Sequence, residues 1–359
     1  MITSKDGTPV PPAVTDRAVP PATPATPLSA LGAPPTAVGA VRSARLFGLE
    51  PGTHRPHAIH AGARTYPETD CYADVIIELV HARGDEPLAL LGNLVRLDFE
   101  GDQWTFFKPD PRDLETLFGI DIHEMQPYRS LPDQIVELLA SGRTMSVELD
   151  AWSLPDTAAT SYRREHVKTT VVPEAIDLDR ERLIYFHNAT LAELIDADFR
   201  AVFRLDAEPG GEVLPPYTEL IRFDAGPRLV GDALRAAARE TTRYHLARLA
   251  PGDPMERFAI GLARDLPRLL DGDAATYHAY AFATVRLAGA GFELLADHVD
   301  WLCGSDGAEA ATALRRVVET SKMLGFKLAR RRTFDPTPAL EAMSTDRALA
   351  VDALKRVLA

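Results

Sequence analysis

The stretch TDCYADVIIELVHARG, residues 69–84, decides how the rest of the chain is interpreted. Its apolar residues recur every three to four positions, which predicts an amphipathic helix that begins near Cys71. Thr69 or Asp70 can cap the N-terminus of this helix, and Asp74 falls in its first turn. A helix N-terminus carries partial positive charge and free N–H groups, so it stabilises a cysteine thiolate. Cys71 is therefore a candidate nucleophile, provided that Asp74 does not point inward and oppose the negative charge.

A base and an orienting group follow Cys71 in the order that a cysteine nucleophile needs. His166 leads the strand-like run HVKTTVVPEAID, in which Lys168 and Thr170 share its face. The next strand-like run, RLIYFHN, ends on Asn188, which lies beside His166 if the two strands pair. An imidazole can take the thiol proton, and an amide can fix the imidazole tautomer. We predict that Cys71, His166 and Asn188 are catalytic, and the alternative for Asn188 is the N-cap of a following helix.

Composition limits the classes of protein that the chain can represent. Its 359 residues are 46% apolar, enough for one large or two ordinary domains, and its net charge is −13. An acidic surface repels nucleic acid and anionic membranes, so we expect neither as a partner. Two cysteines form no disulfide framework, and we interpret the second, Cys303, as structural. With no signal-like N-terminus and no membrane-length apolar run, we expect a cytoplasmic protein.

Three regions differ in pattern along the chain. Residues 1–40 hold nine of the 28 prolines, which predicts a disordered Pro/Ala-rich tail. Residues 41–227 place helices first and a group of antiparallel strands second, an order that favours an α+β domain. Residues 228–359 show helical periodicity throughout, which predicts an all-helical domain of about five helices.

The periodicity of residues 41–227 also gives approximate element bounds. A polar, Asp-rich run, AIDLDRER, separates two of the strand-like segments and is typical of a hairpin turn. The predicted helices are residues 71–83, 86–95, 111–118 and 132–141. The predicted strands are residues 103–108, 144–150, 166–177, 181–187 and 217–224.

Side chains outside the predicted triad could contact a substrate or a partner. Gln103 is a candidate oxyanion donor, and Tyr162, Arg164 and Lys168 could receive a carboxylate or a phosphate. The segment 315–332 carries seven basic residues and one acidic residue, so it could steer an acidic partner or simply form a solvated helix face. The candidate docking residues in this segment are Arg315, Arg316, Lys322 and Lys327.

We expect no metal centre. His54, His57 and His60 occur together in THRPHAIH, but their spacing fits no common metal site and no cysteine pair lies nearby.

Residues 69–190 resemble the papain-like fold of the butirosin biosynthesis protein H family, in which a cysteine starts a helix and a histidine opens a later strand. The segment EPLALLGNLVRLDFEGDQWTFF lacks that family's glycine run, and Asn188 stands where that family has an aspartate. Nearly all of the chain after residue 41 also resembles an uncharacterised bacterial family of unknown function that is associated with amino acid:carrier-protein ligases. This second resemblance rests on EGDQWTFFK, LPDTAATSYRREHVKTTV, YFHNA, LPPYTEL and KLARR.

The resemblance implies acyl transfer without a bound cofactor. Cys71 would take an acyl or aminoacyl group from the phosphopantetheine thioester of a carrier protein, and a small-molecule amine would accept it. His166 would move protons and Asn188 would hold its ring. Two alternatives stay open: a thioesterase or amidase with the same three residues, or a non-catalytic module that binds carrier proteins.

Overall fold

The computed structural model describes residues 41–60, 64–67, 70–206 and 214–359. The predicted disordered tail, residues 1–40, and the candidate cap Thr69 lie outside the described residues.

Nine strands occur in the described residues, and seven of them form one antiparallel sheet. The strands are β1 (Ser43–Arg45), β2 (Phe99–Glu100), β3 (Gln103–Trp104), β4 (Asp121–Met125), β5 (Thr144–Asp150), β6 (Lys168–Asp177), β7 (Arg182–His187), β8 (Thr190–Ile195) and β9 (Thr218–Arg222). The main sheet runs β4-β9-β5-β6-β7-β8, β1 pairs with the end of β6, and β2 and β3 form a separate hairpin.

The described residues contain ten α-helices. They are α1 (Cys71–Ala82), α2 (Pro111–Phe118), α3 (Leu131–Ala140), α4 (Asp196–Val202), α5 (Gly231–Leu246), α6 (Pro254–Asp271), α7 (Ala274–Ala281), α8 (Leu287–Cys303), α9 (Ala308–Ala329) and α10 (Thr337–Leu358). A 3₁₀-helix, Pro87–Arg96, follows α1, and a π-helical turn, Phe282–Arg286, joins α7 to α8.

The two faces of the main sheet are covered by different helices. On one face, α1 packs across β6 and β7, where Val172 and Phe186 are buried. On the other face, α3 contributes Ile135 to a second core with Val171 and Tyr185. Because neighbouring strand residues point to opposite faces, Thr170 shares the α1 face with Val172, whereas Val171 faces α3.

Strand β6 contains a bulge that fits its sequence. The register shifts between Pro173 and Ala175, and a proline, which lacks an N–H donor, is tolerated at such a point. The extra residue, Glu174, is fully buried and accepts the N–H groups of Phe47 and Leu49. These bonds anchor the segment after β1 to the sheet.

The C-terminal helices share a core with the first part of the chain. Helix α8 packs on the 3₁₀-helix Pro87–Arg96, and the buried His245 of α5 lies 2.7 Å from Asp113 of α2. Residues Val41–Ala359 accordingly form one compact unit. Among the described residues, no helix combines the length and the apolar character that crossing a membrane requires.

The predicted α+β class and the helical C-terminal region are confirmed. Several local predictions are wrong. The segment after Asn188 is strand β8 rather than a helix, because it pairs antiparallel with β7 and buries Leu191 and Leu194 in the cores on opposite faces of the sheet. The strand predicted at residues 103–108 covers only two residues, and the helix predicted at residues 86–95 is a 3₁₀-helix.

Candidate functional site

Cys71 is the first residue of α1 and is partly exposed at the edge of the sheet face that α1 covers. The preceding Asp70 caps the helix, since its carboxylate accepts the N–H of Ala73 at 3.1 Å. The Cys71 Sγ lies 3.9 Å from the Oγ1 of Thr170 on β6. A cysteine at a capped helix start, facing the sheet, is the arrangement that the sequence predicts.

Asp70 is nearly fully buried, and this burial changes its acidity. Desolvation opposes its ionisation and raises the pKa of this carboxyl to about 7, although the N–H of Ala73 favours the charged form. The backbone N–H of Phe107 also favours the charged form, but less than burial opposes it. A carboxyl group with a pKa near neutrality next to a cysteine can exchange protons at physiological pH.

The side chain of Asp74 points into the protein, where it contacts basic side chains. It is buried, with its Oδ1 3.0 Å from the Nε2 of His60 and 2.9 Å from the Nη1 of Arg64. The positive charge of Arg64 offsets its negative charge. The possible conflict between Asp74 and a thiolate at Cys71 is therefore reduced.

His166 lies just before β6 and is held by two neighbours. Its Nδ1 is 2.7 Å from the Oδ2 of Asp150, and its ring stacks on Trp152 with centroids 4.6 Å apart. The side chain is 71% exposed. Burial opposes the ionisation of Asp150, but His166 and the backbone N–H groups of Trp152 and Val167 together outweigh it and lower the pKa of the carboxyl. With Nδ1 facing a carboxylate, Nε2 is the nitrogen available for proton transfer.

The structure does not bring Asn188 to His166. Asn188 lies in the turn between β7 and β8 with φ +48°, and its Nδ2 is 3.4 Å from the Nε2 of His187. The strands β6 and β7 pair as predicted, with Val171 opposite His187. This pair is the last of the β6–β7 ladder, so Asn188 lies just beyond it in the turn, away from His166. Asp150 therefore occupies the orienting position at His166.

His187 belongs to a separate buried group on the α3 face of the sheet. Its Nδ1 contacts Asp156, and its Nε2 lies 2.7 Å from the Oγ1 of Thr169. Tyr185 donates its hydroxyl to the same Asp156. These contacts fix the end of β7, on the face of the sheet opposite Cys71.

A polar group that the sequence analysis did not identify lies beside Cys71. The Nζ of Lys108 is 2.5 Å from the Oε1 of Glu219 and lies 4.4 Å from the ring centroid of Tyr72. Ser146 and Tyr217 also donate hydrogen bonds to Glu219. Burial opposes the ionisation of Glu219, but Lys108 and Tyr72 outweigh it and hold the pKa of this carboxyl below its usual range. The signal in the sequence was the lysine that ends EGDQWTFFK and the lone acid in LPPYTEL.

The other predicted substrate contacts are spread over the surface. Tyr162 donates its hydroxyl to Asp198 at 2.9 Å, and Lys168 lies 2.6 Å from Glu148. Arg164 is exposed and bonds the backbone oxygen of Ala159. None of these contacts joins the side chains to Cys71. Gln103 is exposed and lines a cavity of about 760 Å³ between the β2–β3 turn and helices α6 and α7.

The predicted docking residues lie on the exposed side of α9. Arg315 pairs with Asp300 at 2.5 Å, and Arg316 pairs with Asp346 at 2.5 Å. Both arginines therefore already form ion pairs within the protein. Lys322 is exposed, and the Nζ of Lys327 lies 5.6 Å from the ring centroid of Phe334. The exposed apolar side chains of Met323 and Phe326 stand between the two lysines.

The histidines of THRPHAIH gather around a buried carboxylate. His54 Nε2 lies 2.9 Å from Glu78, His60 contacts the same carboxylate, and the backbone N–H of His57 bonds it at 3.0 Å. Within the described ranges, no group of three or more His, Cys, Asp and Glu residues is arranged to hold a metal ion. These contacts attach the segment before α1 to the middle of that helix.

Comparison with protein families divides the chain close to the end of β9. Residues 55–223 match the model of the DUF1839 N-terminal domain, and residues 231–356 match that of the DUF1839 C-terminal domain. The first match contains Cys71, His166 and Asp150, and the second contains α9. No curated protein matches the chain significantly.

Proposed function

The chain belongs to the DUF1839 family, an uncharacterised family, and we propose that it is a cysteine acyltransferase. In this proposal Cys71 takes an acyl or aminoacyl group from a carrier-protein phosphopantetheine thioester and passes it to a small-molecule amine. The observation that carries the proposal is the position of Cys71. It begins a capped helix, is partly exposed, and faces a sheet residue with a hydroxyl group.

The first step exchanges one thioester for another. The Cys71 sulfur attacks the carbonyl carbon of the carrier-protein thioester, and the bond from that carbon to the phosphopantetheine sulfur breaks. The departing thiolate takes up the proton that Cys71 loses. Because one thioester replaces another, the step needs little driving force, and the N-terminal dipole of α1 stabilises the attacking thiolate.

The second step forms an amide at the acyl-Cys71 carbonyl. The amine nitrogen attacks the carbonyl carbon, the C–S bond breaks, and its electron pair returns to the Cys71 sulfur. His166 Nε2 takes the proton of the amine, while Asp150 holds Nδ1. Asp150 thus takes the orienting role that the sequence analysis gave to Asn188.

The spacing along β6 determines how His166 can take part. His166 lies two residues before β6 begins at Lys168, and four positions separate it from Thr170, so the two backbones are at most about 13 Å apart. We therefore place the acceptor amine between the sulfur and the imidazole, so that His166 acts on the amine rather than on the thiol. Lys168, which lies between them on the same face, would border the acceptor.

A non-catalytic carrier-protein-binding module is the second candidate function. One observation favours it: the Cys71 sulfur contacts the hydroxyl of Thr170 at 3.9 Å, and no hydrogen bond joins Cys71 to a histidine in the part of the chain that the structure describes. In that function, α9 would dock the carrier protein through Lys322, Lys327 and the apolar side chains between them.

Intact-protein mass spectrometry tests the proposal. The full chain is incubated with a carrier protein that bears an alanyl thioester. We expect a mass increase of one alanyl group on wild-type protein and on Cys303→Ala, and no increase on Cys71→Ala. A carrier-protein complex that forms equally with wild type and Cys71→Ala, without any adduct or product, would establish the binding module instead.

The acceptor then separates acyl transfer from hydrolysis. Alanyl-Cys71 protein is isolated and divided between buffer alone and buffer with added ethylamine. Release of alanine ethylamide is the expected result for a transferase. Release of free alanine at the same rate in both samples would identify a thioesterase.

A further inference from the structure

A cavity lies away from Cys71, between the β2–β3 turn and helices α6 and α7. Its volume is about 760 Å³, in the range of small-molecule sites. We propose that this cavity binds a small zwitterion that carries both a carboxylate and an amine, as a free amino acid does. The proposal does not depend on the chemistry at Cys71.

Opposite charges line the walls of this cavity. Helix α6 contributes Arg264 and Arg268, which lie four residues apart and therefore on one side of the helix. Arg264 is occupied by its neighbour Asp265, at 3.1 Å. Arg268 forms no ion pair with any residue that the structure describes, so its guanidinium is available to a ligand carboxylate.

The β2–β3 turn supplies the negative charge. Asp102 lies in this turn and is exposed, and its only side-chain hydrogen bond among the described residues is a long one, 3.4 Å from the Nε2 of Gln103. Its carboxylate is thus free to accept an ammonium group. Gln103 can supply further polar contacts, and Gly101 adds no side chain to fill the space.

Tyr280 of α7 forms part of the cavity wall and is only 7% exposed. Its hydroxyl is buried and interacts with the side chain of Thr284. Tyr280 therefore shapes the wall of the cavity, while the charged contacts to a ligand come from Arg268 and Asp102.

The local backbone supports the same location. The π-helical turn Phe282–Arg286 begins two residues after Tyr280, and its Ala283 lines the cavity. Single π-helical turns within longer helices occur frequently at functional sites. With Ala279 and Ala283 as small side chains on one wall, the cavity has space for the side chain of an amino acid.

Isothermal titration calorimetry on the full chain tests the proposal. Each standard amino acid is titrated in turn, with acetate as a carboxylate-only probe and ethylamine as an amine-only probe. We expect saturable binding of at least one amino acid and much weaker binding of the two partial probes. Equal binding of acetate would overturn the zwitterion assignment, as would the absence of binding by every amino acid at millimolar concentrations.

Variants then locate the site. Arg268→Ala and Asp102→Asn should each weaken the binding about tenfold or more, because each removes one charged contact. Arg330→Ala, which removes an exposed arginine just after α9 and outside the cavity, should leave the affinity unchanged. Unchanged affinity in Arg268→Ala and Asp102→Asn, with thermal unfolding like wild type, would place the binding elsewhere and overturn the proposal.

Discussion

The hydroxyl of Thr170 lies 3.9 Å from the sulfur of Cys71. This contact joins the first residue of α1 to the central strand β6, and it places a hydroxyl where a histidine would stand in direct contact with the thiol.

Thr170→Val should slow the alkylation of Cys71 by iodoacetamide several-fold. Valine keeps the shape of threonine but removes the hydroxyl, which can donate to a thiolate and favour the charged form. Peptide mass spectrometry after timed alkylation measures the rate at each cysteine. Cys303 provides an internal control, since its rate should not change. Equal rates for Cys71 in the variant and in wild type would contradict a role for the hydroxyl.

His166→Gln should block the proposed reaction between its first and second steps. The acyl group should still reach Cys71, but its transfer to an amine should fall at least tenfold, because general bases contribute about 10²–10⁴ in rate. Accumulation of acyl-protein by intact mass and loss of amide product are the two readouts. Substitution of His123, an exposed histidine that also pairs with an aspartate, gives the matched control. If His123→Gln and His166→Gln behave alike, His166 has no special role.

Wild-type stability should fall as pH rises from about 4 to about 7 because of the Asp70 carboxyl, and Asp70→Asn should abolish this fall. Burial raises the folded-state pKa of Asp70 to about 7, so the folded state binds a proton more tightly than the unfolded state does. Stability is then greatest below the unfolded-state pKa and falls as pH rises towards 7. The difference corresponds to an upper limit of about 4 kcal/mol, and asparagine caps a helix as well as aspartate.

Urea unfolding of Asp70→Asn at pH 5 and pH 8 measures this effect. We expect the variant to exceed wild type at pH 8 by more than it does at pH 5. Asp110→Asn, at the cap of α2, is the control and should show no such difference. A variant that is less stable than wild type at pH 8 would show that the Asp70 carboxylate stabilises the folded state.

His60→Asn should destabilise the protein by about 1–3 kcal/mol near pH 6, because it removes one hydrogen-bond partner from each of two buried carboxylates, Asp74 and Glu78. Burial opposes the charged imidazole, but hydrogen bonds with Asp74 and Glu78 outweigh it and raise the pKa of His60. The stabilisation by His60 is therefore complete below its unfolded-state pKa of about 6.5 and is lost as pH rises through the folded-state value.

Glu78, one of the two carboxylate partners of His60, determines how far the stabilisation by this cluster extends to acidic pH. Burial opposes the ionisation of Glu78, but His54 and His60 outweigh it and lower its pKa. The contribution of Glu78 is present above its unfolded-state pKa and is lost as pH falls through the folded-state value. Denaturant titrations should be made at pH values that span the unfolded-state pKa values of Glu78 and His60. As pH rises, the free energy of unfolding should decline less in His60→Asn than in wild type. His278→Asn, at an exposed position of α7, should match wild type.

Two helical glycines should respond oppositely to alanine. A Cβ at Gly289 would stand 2.0 Å from the ring of Tyr66, whereas a Cβ at Gly325 would meet only ordinary contacts, the nearest at 3.8 Å. Gly289→Ala should therefore destabilise the protein by about 1–3 kcal/mol, and Gly325→Ala should stabilise it by up to about 1 kcal/mol. Thermal melting of both variants measures the pair. Equal effects would mean that the Tyr66 segment moves aside without cost.

Local patterns predicted much of the secondary structure. Helix α2 and strand β5 match the predicted bounds, and α1 begins at Cys71 as predicted. These elements have clear start signals, such as Asp110 before Pro111, or an uninterrupted strand-forming run. Strand β8 was missed because TLAELI fits both helical and alternating spacing, and only its pairing with β7 separates the two.

The predicted site depended on the register between β6 and β7, which the hydrophobic periodicity of the sequence does not reveal. Pairing of β6 with β7 was correct, but a shift of a few residues decides which side chains meet across the two strands. The observed β6–β7 ladder ends at Val171 and His187, which leaves Asn188 in the following turn and His166 beside Asp150 on β5. The cluster of Lys108 and Glu219 was missed for a similar reason, since 111 residues separate the two in the chain.

The sequence by itself determined the α+β class, the helical C-terminal region and the cysteine at the start of α1. These features follow from periodicity and capping, which act over a few neighbouring residues. Only the tertiary structure decided which side chains surround that cysteine. The contacts of Cys71 with Thr170 and of His166 with Asp150 depend on strand order and register, which are set by packing between distant segments.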